Sequence, residues 1–384
     1  MFKDPAFTEN RNQPIHRWAP WIAGFSGGFV EDCLRSYLPG SDPARCLVLD
    51  PFAGVGTTLV ESFRRGYHTV GFEINPYAAL ATRAKLGAAD VSVTELEAWT
   101  DAFRAFMRAA TEKDAPDPAL APAGFRSRVP FFSPRVEPQV LWALKFITDM
   151  ADPHLKDLFL LAFGSVMVKF SNYTYEPSLS SRPGCGKPLI EDADVAGVMT
   201  AKLREMAVDC RSFLKELPDR ARDLRREVFQ DSVFRADEHL EAGSVDLAVT
   251  SPPYLNNYHY VRNTRPHLFW LRFIESTTDL RQIEHASFGK FWQTVRDAPP
   301  IPLEFELLEL SGLLDQIREV HGEKRTYGGA GWANYAAQYF NDSLRFCSVM
   351  GRMLRPGGHL VVVIGNSIIQ GIEIKVEEFL ATLG

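Results

Sequence analysis

Two short stretches of this chain carry residue types that could do chemistry. Thr250-Ser251-Pro252-Pro253-Tyr254 ends an apolar run, Val245 to Val249, in a hydroxyl, two prolines and an aromatic ring. Proline cannot donate to a sheet ladder, so the pair forces the backbone out of the sheet. The result is a stiff corner presenting the Ser251 hydroxyl, main-chain carbonyls and the Tyr254 ring. The second stretch is Asp50-Pro51-Phe52-Ala53-Gly54-Val55-Gly56-Thr57-Thr58. Its two glycines let the backbone approach a ligand closely, ahead of a helix N-terminus that favours negative charge. Glu73, 17 residues past Gly56, is spaced to accept hydrogen bonds from ribose hydroxyls. Thr58 and Leu59 replace the third glycine of the dinucleotide fingerprint, which favours a single nucleoside over a pyrophosphate-bearing cofactor such as NAD.

The elements that must hold these residues are legible around them. Cys46 to Leu49 is a continuous apolar strand, Thr57 to Arg65 has helical periodicity, and Gly66 suits the position just past a helix end. His68 to Phe72 reads as the next strand, with Glu73 at its carboxyl end. Val245 to Thr250 and the Val-rich run from His359 to Ile364 add two more. Strands alternating with helices imply a parallel sheet, whose ligands sit at the carboxyl ends of the strands.

With both stretches in view, DPFAGVGTT, GFEINP and TSPPY resemble the S-adenosylmethionine-dependent amino-group DNA methyltransferases, in particular the SPPY-bearing, mostly cytosine-N4 branch. The resemblance covers roughly residues 45–90 and 226–370. It implies an α/β fold, a Rossmann-like methyltransferase sheet with helices on both faces, and S-adenosyl-L-methionine as cofactor. Asp50, Pro51, Phe52, Ala53, Gly54, Gly56 and Thr57 would line the methionine and adenosine side. Glu73 would hold the ribose, and Asp231 would accept from the adenine amino group. Ser251, Pro252, Pro253 and Tyr254 would be the catalytic corner. The chemistry fits: an exocyclic amino nitrogen is a poor nucleophile because its lone pair is delocalised into the base. Acceptors at Ser251 Oγ and the Pro252 carbonyl would pull it toward tetrahedral geometry, as preorganised electrostatics. Tyr254 would stack on a base that has left the helix. Transfer would be one in-line step, with no covalent intermediate and no metal.

Composition adds limits. The chain has 384 residues, 46% hydrophobic and 23% charged, with a formal net charge of −6. Any DNA binding therefore needs a local basic face. No apolar run reaches the length of a membrane span, and the start lacks the order of a signal peptide. Five scattered cysteines without CxxC spacing argue against a disulfide framework or zinc site, and a cytoplasmic location is the simplest expectation.

Residues 1–95 and 226–384 would form the discontinuous cofactor-binding domain, and 96–225 a mainly helical insert for target recognition. Helices are expected over Leu96–Ala110, Val136–Met150, Leu155–Lys169 and Ala193–Leu217. Loops around Arg126 to Arg128 and Lys169 to Lys187 interleave basic, aromatic and small polar residues, a mix suited to phosphate contact and base stacking. Arg126, Arg128, Lys169, Lys187, Asn256, Tyr258, His259 and Arg262 are the expected nucleic-acid contacts, lining a cleft into which Tyr254 projects. In the lead-in, Trp18 is assigned to the cofactor, with His16, Arg17 and Trp21 as neighbours that could contribute. Arg220 to Arg226 reads as a solvated helix face, and Lys324 to Ala333 as a mobile Gly-rich loop. One departure from the family stands out: its sheet normally continues into an antiparallel hairpin, which this sequence lacks after the last Val-rich strand. Double-stranded DNA is the implied partner, and a restriction endonuclease or regulatory partner would fit the same system. Adenine N6, RNA guanine N2 and a non-catalytic DNA-binding subunit remain as alternatives.

Overall fold

The computed structural model describes residues 10–19, 21, 24–111, 116–176, 178–255 and 259–384. Five parallel strands form the central sheet: β1 (Leu47–Asp50), β2 (His68–Phe72), β5 (Arg226–Phe229), β6 (Val245–Thr250) and β7 (Leu354–Val362), in the order β5-β2-β1-β6-β7. Outside it stand two short antiparallel hairpins, β3 (Tyr173–Tyr175) with β4 (Leu179–Ser181) and β8 (Ser367–Ile369) with β9 (Ile372–Ile374). Thirteen α-helices are described: α1 (Gly27–Tyr37), α2 (Thr57–Arg64), α3 (Pro76–Gly87), α4 (Val93–Thr111), α5 (Val136–Thr148), α6 (Pro153–Val166), α7 (Val195–Glu216), α8 (Tyr260–Trp270), α9 (Thr277–Ala286), α10 (Trp292–Val295), α11 (Leu308–Glu319), α12 (Gly329–Met353) and α13 (Val376–Leu383).

Side chains alternate across a strand, so each inner strand buries two faces. Val48, Leu247 and Val249 pack under α1, whereas Leu49, Val70 and Ala248 face α12 and α13. The sheet is thus covered on both sides, as a parallel sheet requires. Helices α4 to α8 share one continuous apolar core with α2 and α3. Register sets the site: Asp50 pairs with Gly71, Phe72 with Phe229, and Thr250 with Val362, so the carboxyl ends of all five strands lie along one edge.

The sheet ends at β7, and the β8–β9 hairpin stands apart from it. That hairpin is not idle, since the Ser367 hydroxyl donates to the Leu255 carbonyl just beyond the proline corner. β7 also starts earlier than its Val-rich run: Val245 pairs with Leu354, then Leu247 with His359, and Arg355 to Gly358 bulge out between. Two expectations fail. The Gly-rich run at 329–333 is the first turn of α12, not a loop. A Cβ on Gly329 would lie 1.7 Å from the Ile317 carbonyl oxygen, so glycine serves close packing there rather than mobility. Arg220 to Arg226 forms a 3-10 turn leading into β5, with Arg220, Arg225 and Arg226 paired to Asp42, Glu227 and Asp90.

The lead-in is anchored by one buried carboxylate. Asp209 on α7 accepts from the Ile15 amide at 3.2 Å, Arg17 Nε at 3.0 Å, Arg17 Nη2 at 2.6 Å and Trp18 Nε1 at 2.9 Å. Asp209→Ala should therefore destabilise the fold by about 3 kcal/mol, because it leaves buried donors and part of a guanidinium without an acceptor. Chemical unfolding of the two proteins checks this. A loss within experimental error would show that the lead-in is not held by this residue.

Candidate active site

One cavity opens at the carboxyl edge of the sheet. The glycine loop, the end of β2, the segment after β5, the proline corner and the N-terminal segment all contribute to its wall. Gly54 and Gly56 adopt left-handed backbone, with φ of 50° and 85°, a region that side-chain-bearing residues rarely enter. A Cβ on Gly54 would sit 3.3 Å from Trp21 Nε1, in the narrow space between loop and tryptophan. A Cβ on Gly56 would meet Thr82 Oγ1 at 2.8 Å. Both positions thus require glycine, through positive φ and through close packing on Trp21 and Thr82.

Glu73 stands at the end of β2 and accepts from the Gly54 amide at 2.8 Å and the Asn75 amide at 2.7 Å. Burial pushes its carboxyl up to about 7, with those amides and the carboxylate of Asp50 as lesser influences. Each carboxylate oxygen keeps acceptor capacity for a ribose hydroxyl. Asp50, 1% exposed, accepts from Thr250 Oγ1 at 2.7 Å and the Phe52 amide at 3.1 Å. Burial raises it to about 6. Phe52, Phe72, Val233, Phe234 and Phe288 give the same cavity an apolar aromatic slot. A carboxylate for a ribose beside a slot for a base fits a nucleoside-bearing cofactor. Asp231 lines the cavity too, while its carboxylate accepts from His239 Nε2 at 2.9 Å and its own Ser232 amide at 2.7 Å.

At the corner, Ser251 Oγ donates to the Tyr254 hydroxyl at 3.2 Å, which leaves its lone pairs to accept from a substrate. Ser251, Pro253 and Tyr254 face the cavity, and Pro252 is buried behind them. Gly365, following β7, lies against the Tyr254 ring: a Cβ there would be 3.9 Å from it. Sequence reasoning missed the far wall, which is Phe288, Lys290 and Phe291 before α10, with Tyr335 and Tyr339 of α12. Lys290 has φ 58°, an unusual backbone for lysine at a cavity rim. Tyr260 of α8 stacks on Trp21 with ring centroids 5.6 Å apart, bridging lead-in and helix across the site.

Trp18 is placed elsewhere. It is fully buried, its indole nitrogen is spent on Asp209, and it does not line the cavity. Trp21, three residues on, reaches the site instead. His16 and Arg17 are likewise tied, to Glu61 and Asp209.

A second, more polar groove joins Arg126, Ser127 and Arg128 to the β3–β4 hairpin and to Arg262, Arg265 and Pro266 of α8. Among the described residues none of these four arginines has a carboxylate partner. Elsewhere arginines such as Arg65, Arg83, Arg211 and Arg235 are ion-paired. Arg265 lies over the rings of Phe125 and Phe269, at 5.5 and 5.7 Å from their centroids. Lys187 does not line this groove, whereas Glu176, the carboxylate it is paired with, does. Lys169 is exposed on a 3-10 turn outside it. His259 caps α8 and stacks on Phe291 at 3.7 Å. Burial lowers it to about 4, so it is neutral at physiological pH. Asn256 and Tyr258 lie outside the described residues.

Sheet order, glycine loop and acidic strand end are those of a Rossmann-like methyltransferase sheet, with S-adenosylmethionine as the cofactor they and the relatives imply. The chain is similar to the type II methyltransferase M.BsoBI of Geobacillus stearothermophilus, 23% identical over 301 residues, or 73% of this chain and 57% of that protein. It is also similar to the type II methyltransferase M.MjaII of Methanocaldococcus jannaschii, 30% identical over 83 residues, 22% of this chain and 15% of that protein. The chain spans about half the length of the first of these curated relatives and a smaller share of the second. Both support the resemblance to the amino-methyltransferase family. No family model and no solved structure matches the chain. Five free cysteines are present, and among the described residues no helix is long and apolar enough to cross a membrane.

Proposed function

We propose that this chain transfers a methyl group from S-adenosylmethionine to an exocyclic amino group of a flipped base in double-stranded DNA, with cytosine N4 as the acceptor. The observation that carries the reading is the shared cavity: the Glu73 carboxylate and the Ser251-to-Tyr254 corner open into one space at the carboxyl edge of the sheet. The cofactor supplies an electrophilic methyl group. Everything else falls to the chain. Glu73 holds the ribose, and the aromatic slot takes the adenine. Ser251 Oγ and the corner's carbonyls accept from the amino group and free its lone pair. Tyr254 offers a ring face to the displaced base. The serine opening the motif favours cytosine over adenine N6, as the family resemblance has it. The type II methyltransferase relatives support DNA over RNA as substrate. A restriction endonuclease acting in the same system is the partner this reading favours.

The four unpaired arginines give an acidic protein the local positive face that duplex DNA requires. Replacing Arg126, Arg128 and Arg262 by alanine should weaken DNA binding and flatten its salt dependence by about one unit of slope per lost phosphate contact. Cofactor affinity should stay constant. Titrations at several salt concentrations check this, and an unchanged slope would place DNA elsewhere.

The functional reading is tested with purified protein, methyl-tritiated cofactor and either duplex DNA or RNA. Label in DNA is expected. Label in RNA alone would overturn the substrate, and no cofactor binding by calorimetry would overturn the reading altogether.

A further inference from the structure

Lys85 is a fully buried lysine that the transfer chemistry does not use. Its Nζ donates to the Val55 carbonyl at 2.8 Å, and among the described residues it has no carboxylate partner. Burying an ammonium group without a counter-ion costs several kcal/mol, so a residue of this kind calls for a compensating role. Its neighbour one turn earlier on α3 makes a matching contact. Thr82, equally buried, donates from Oγ1 to the Gly54 carbonyl at 2.9 Å. The i, i+3 spacing puts both side chains on one face of the helix. Two successive carbonyls of the glycine loop are thereby held from behind. From the other side, Glu73 accepts from the Gly54 amide, and Gly56 donates to the Ala53 carbonyl at 2.7 Å.

We propose that Thr82 and Lys85 are positioning residues of the cofactor site, which fix the left-handed glycine loop in its binding shape before the cofactor arrives. Neither touches the reacting atoms. The inference deepens the cofactor reading above and rests on it. Burial lowers Lys85 to about 7, and it keeps an N–H to donate in either protonation state. The role is therefore a hydrogen bond rather than a charge.

The test uses Lys85→Met, Lys85→Gln and Thr82→Val in the full chain. Lys85→Met removes a desolvated ammonium and keeps the volume, so the thermal midpoint should hold or rise. Cofactor affinity by calorimetry should nevertheless fall at least tenfold. Lys85→Gln, whose amide can donate to the Val55 carbonyl, should recover most of that loss. Turnover at saturating cofactor should change less than about twofold, which confines the effect to the cofactor KM. A second readout needs no cofactor: the Gly54 and Gly56 amides should exchange hydrogen at least tenfold faster in Lys85→Met. If Lys85→Met does not fold, Thr82→Val, which loses only one hydroxyl, should show the same two effects more weakly. Unchanged affinity and unchanged exchange would overturn the proposal and make Lys85 a packing residue. If the unaltered chain binds no cofactor, the functional reading fails, while the exchange measurement still decides whether these residues hold the loop.

Discussion

Ser251→Ala should lower methyl transfer about a hundredfold to a thousandfold while leaving cofactor affinity within about twofold. The magnitude is that of removing one preorganised polar group aimed at a reacting centre. Ser251 is well placed for so selective an effect. Among the described residues its hydroxyl engages Tyr254 alone, at 3.2 Å, and the next residue is a buried proline that fixes its direction. The change removes one oxygen from the cavity wall and leaves the glycine loop and Glu73 untouched. Steady-state kinetics and calorimetry on the same preparation check both halves. Equal loss of cofactor binding would mean that Ser251 supports the fold of the site rather than the chemistry.

Glu73→Gln should weaken cofactor binding about a hundredfold at pH 8, since hydrogen bonds from ribose hydroxyls to an ionised carboxylate are stronger than those to an amide. The pH dependence carries a distinct signature. Burial raises Glu73 from 4.5 to about 7. A carboxyl with a raised folded-state value lends stability in its protonated form; that stability is complete below pH 4.5 and lost as pH rises to about 7. Above pH 7 the empty site thus holds an ionised carboxylate at a cost on the order of 3 kcal/mol. The glutamine variant bears no such cost. Its side-chain NH2 cannot accept from the Gly54 or Asn75 amide, which costs the variant a pH-independent amount. Without cofactor, its stability relative to the parent should therefore rise by on the order of 3 kcal/mol between pH 4.5 and pH 8. Cofactor affinity of the parent should fall as pH drops through 7, and that of the variant should fall less. Asp50 titrates in both proteins and interacts with Glu73, so the difference between them reports Glu73 together with its coupling to Asp50. Thermal unfolding at pH 4.5 and 8, and calorimetry at pH 6 and 8, check the two halves.

The parts of this site that were legible in the sequence share one property: their function depends on local backbone. A proline pair after a strand and two glycines before a helix dictate geometry wherever they occur, so the corner, the loop and Glu73 could be read from short stretches. Long-range pairing could not. Trp18 and Trp21 have similar surroundings in the sequence, and only Asp209, almost two hundred residues away, decides that Trp18 belongs to the core. Arg126, Arg128 and Arg262 were visible as basic residues among aromatics, and so was Lys187. What separates them is Glu176, which neutralises the lysine. Arg265 joined the group only through its stacking on Phe125 and Phe269. Tyr335 and Tyr339 lie on a helix that packs across the site, and nothing in their neighbourhood marks them as wall residues. Gly329 and Gly331 misled because glycine signals both mobility and close packing, and only the Ile317 and Thr326 carbonyls distinguish the two.

The measurement that reaches the central claim most directly is the identity of the product. Duplex DNA is methylated by the purified chain in a single turnover, digested to nucleosides and analysed by mass spectrometry. N4-methylcytosine is expected, formed about a hundredfold to a thousandfold more slowly by Ser251→Ala than by the parent. N6-methyladenine would contradict the choice of base, and a methyl group on a ring carbon would contradict the amino-group chemistry assigned to the proline corner.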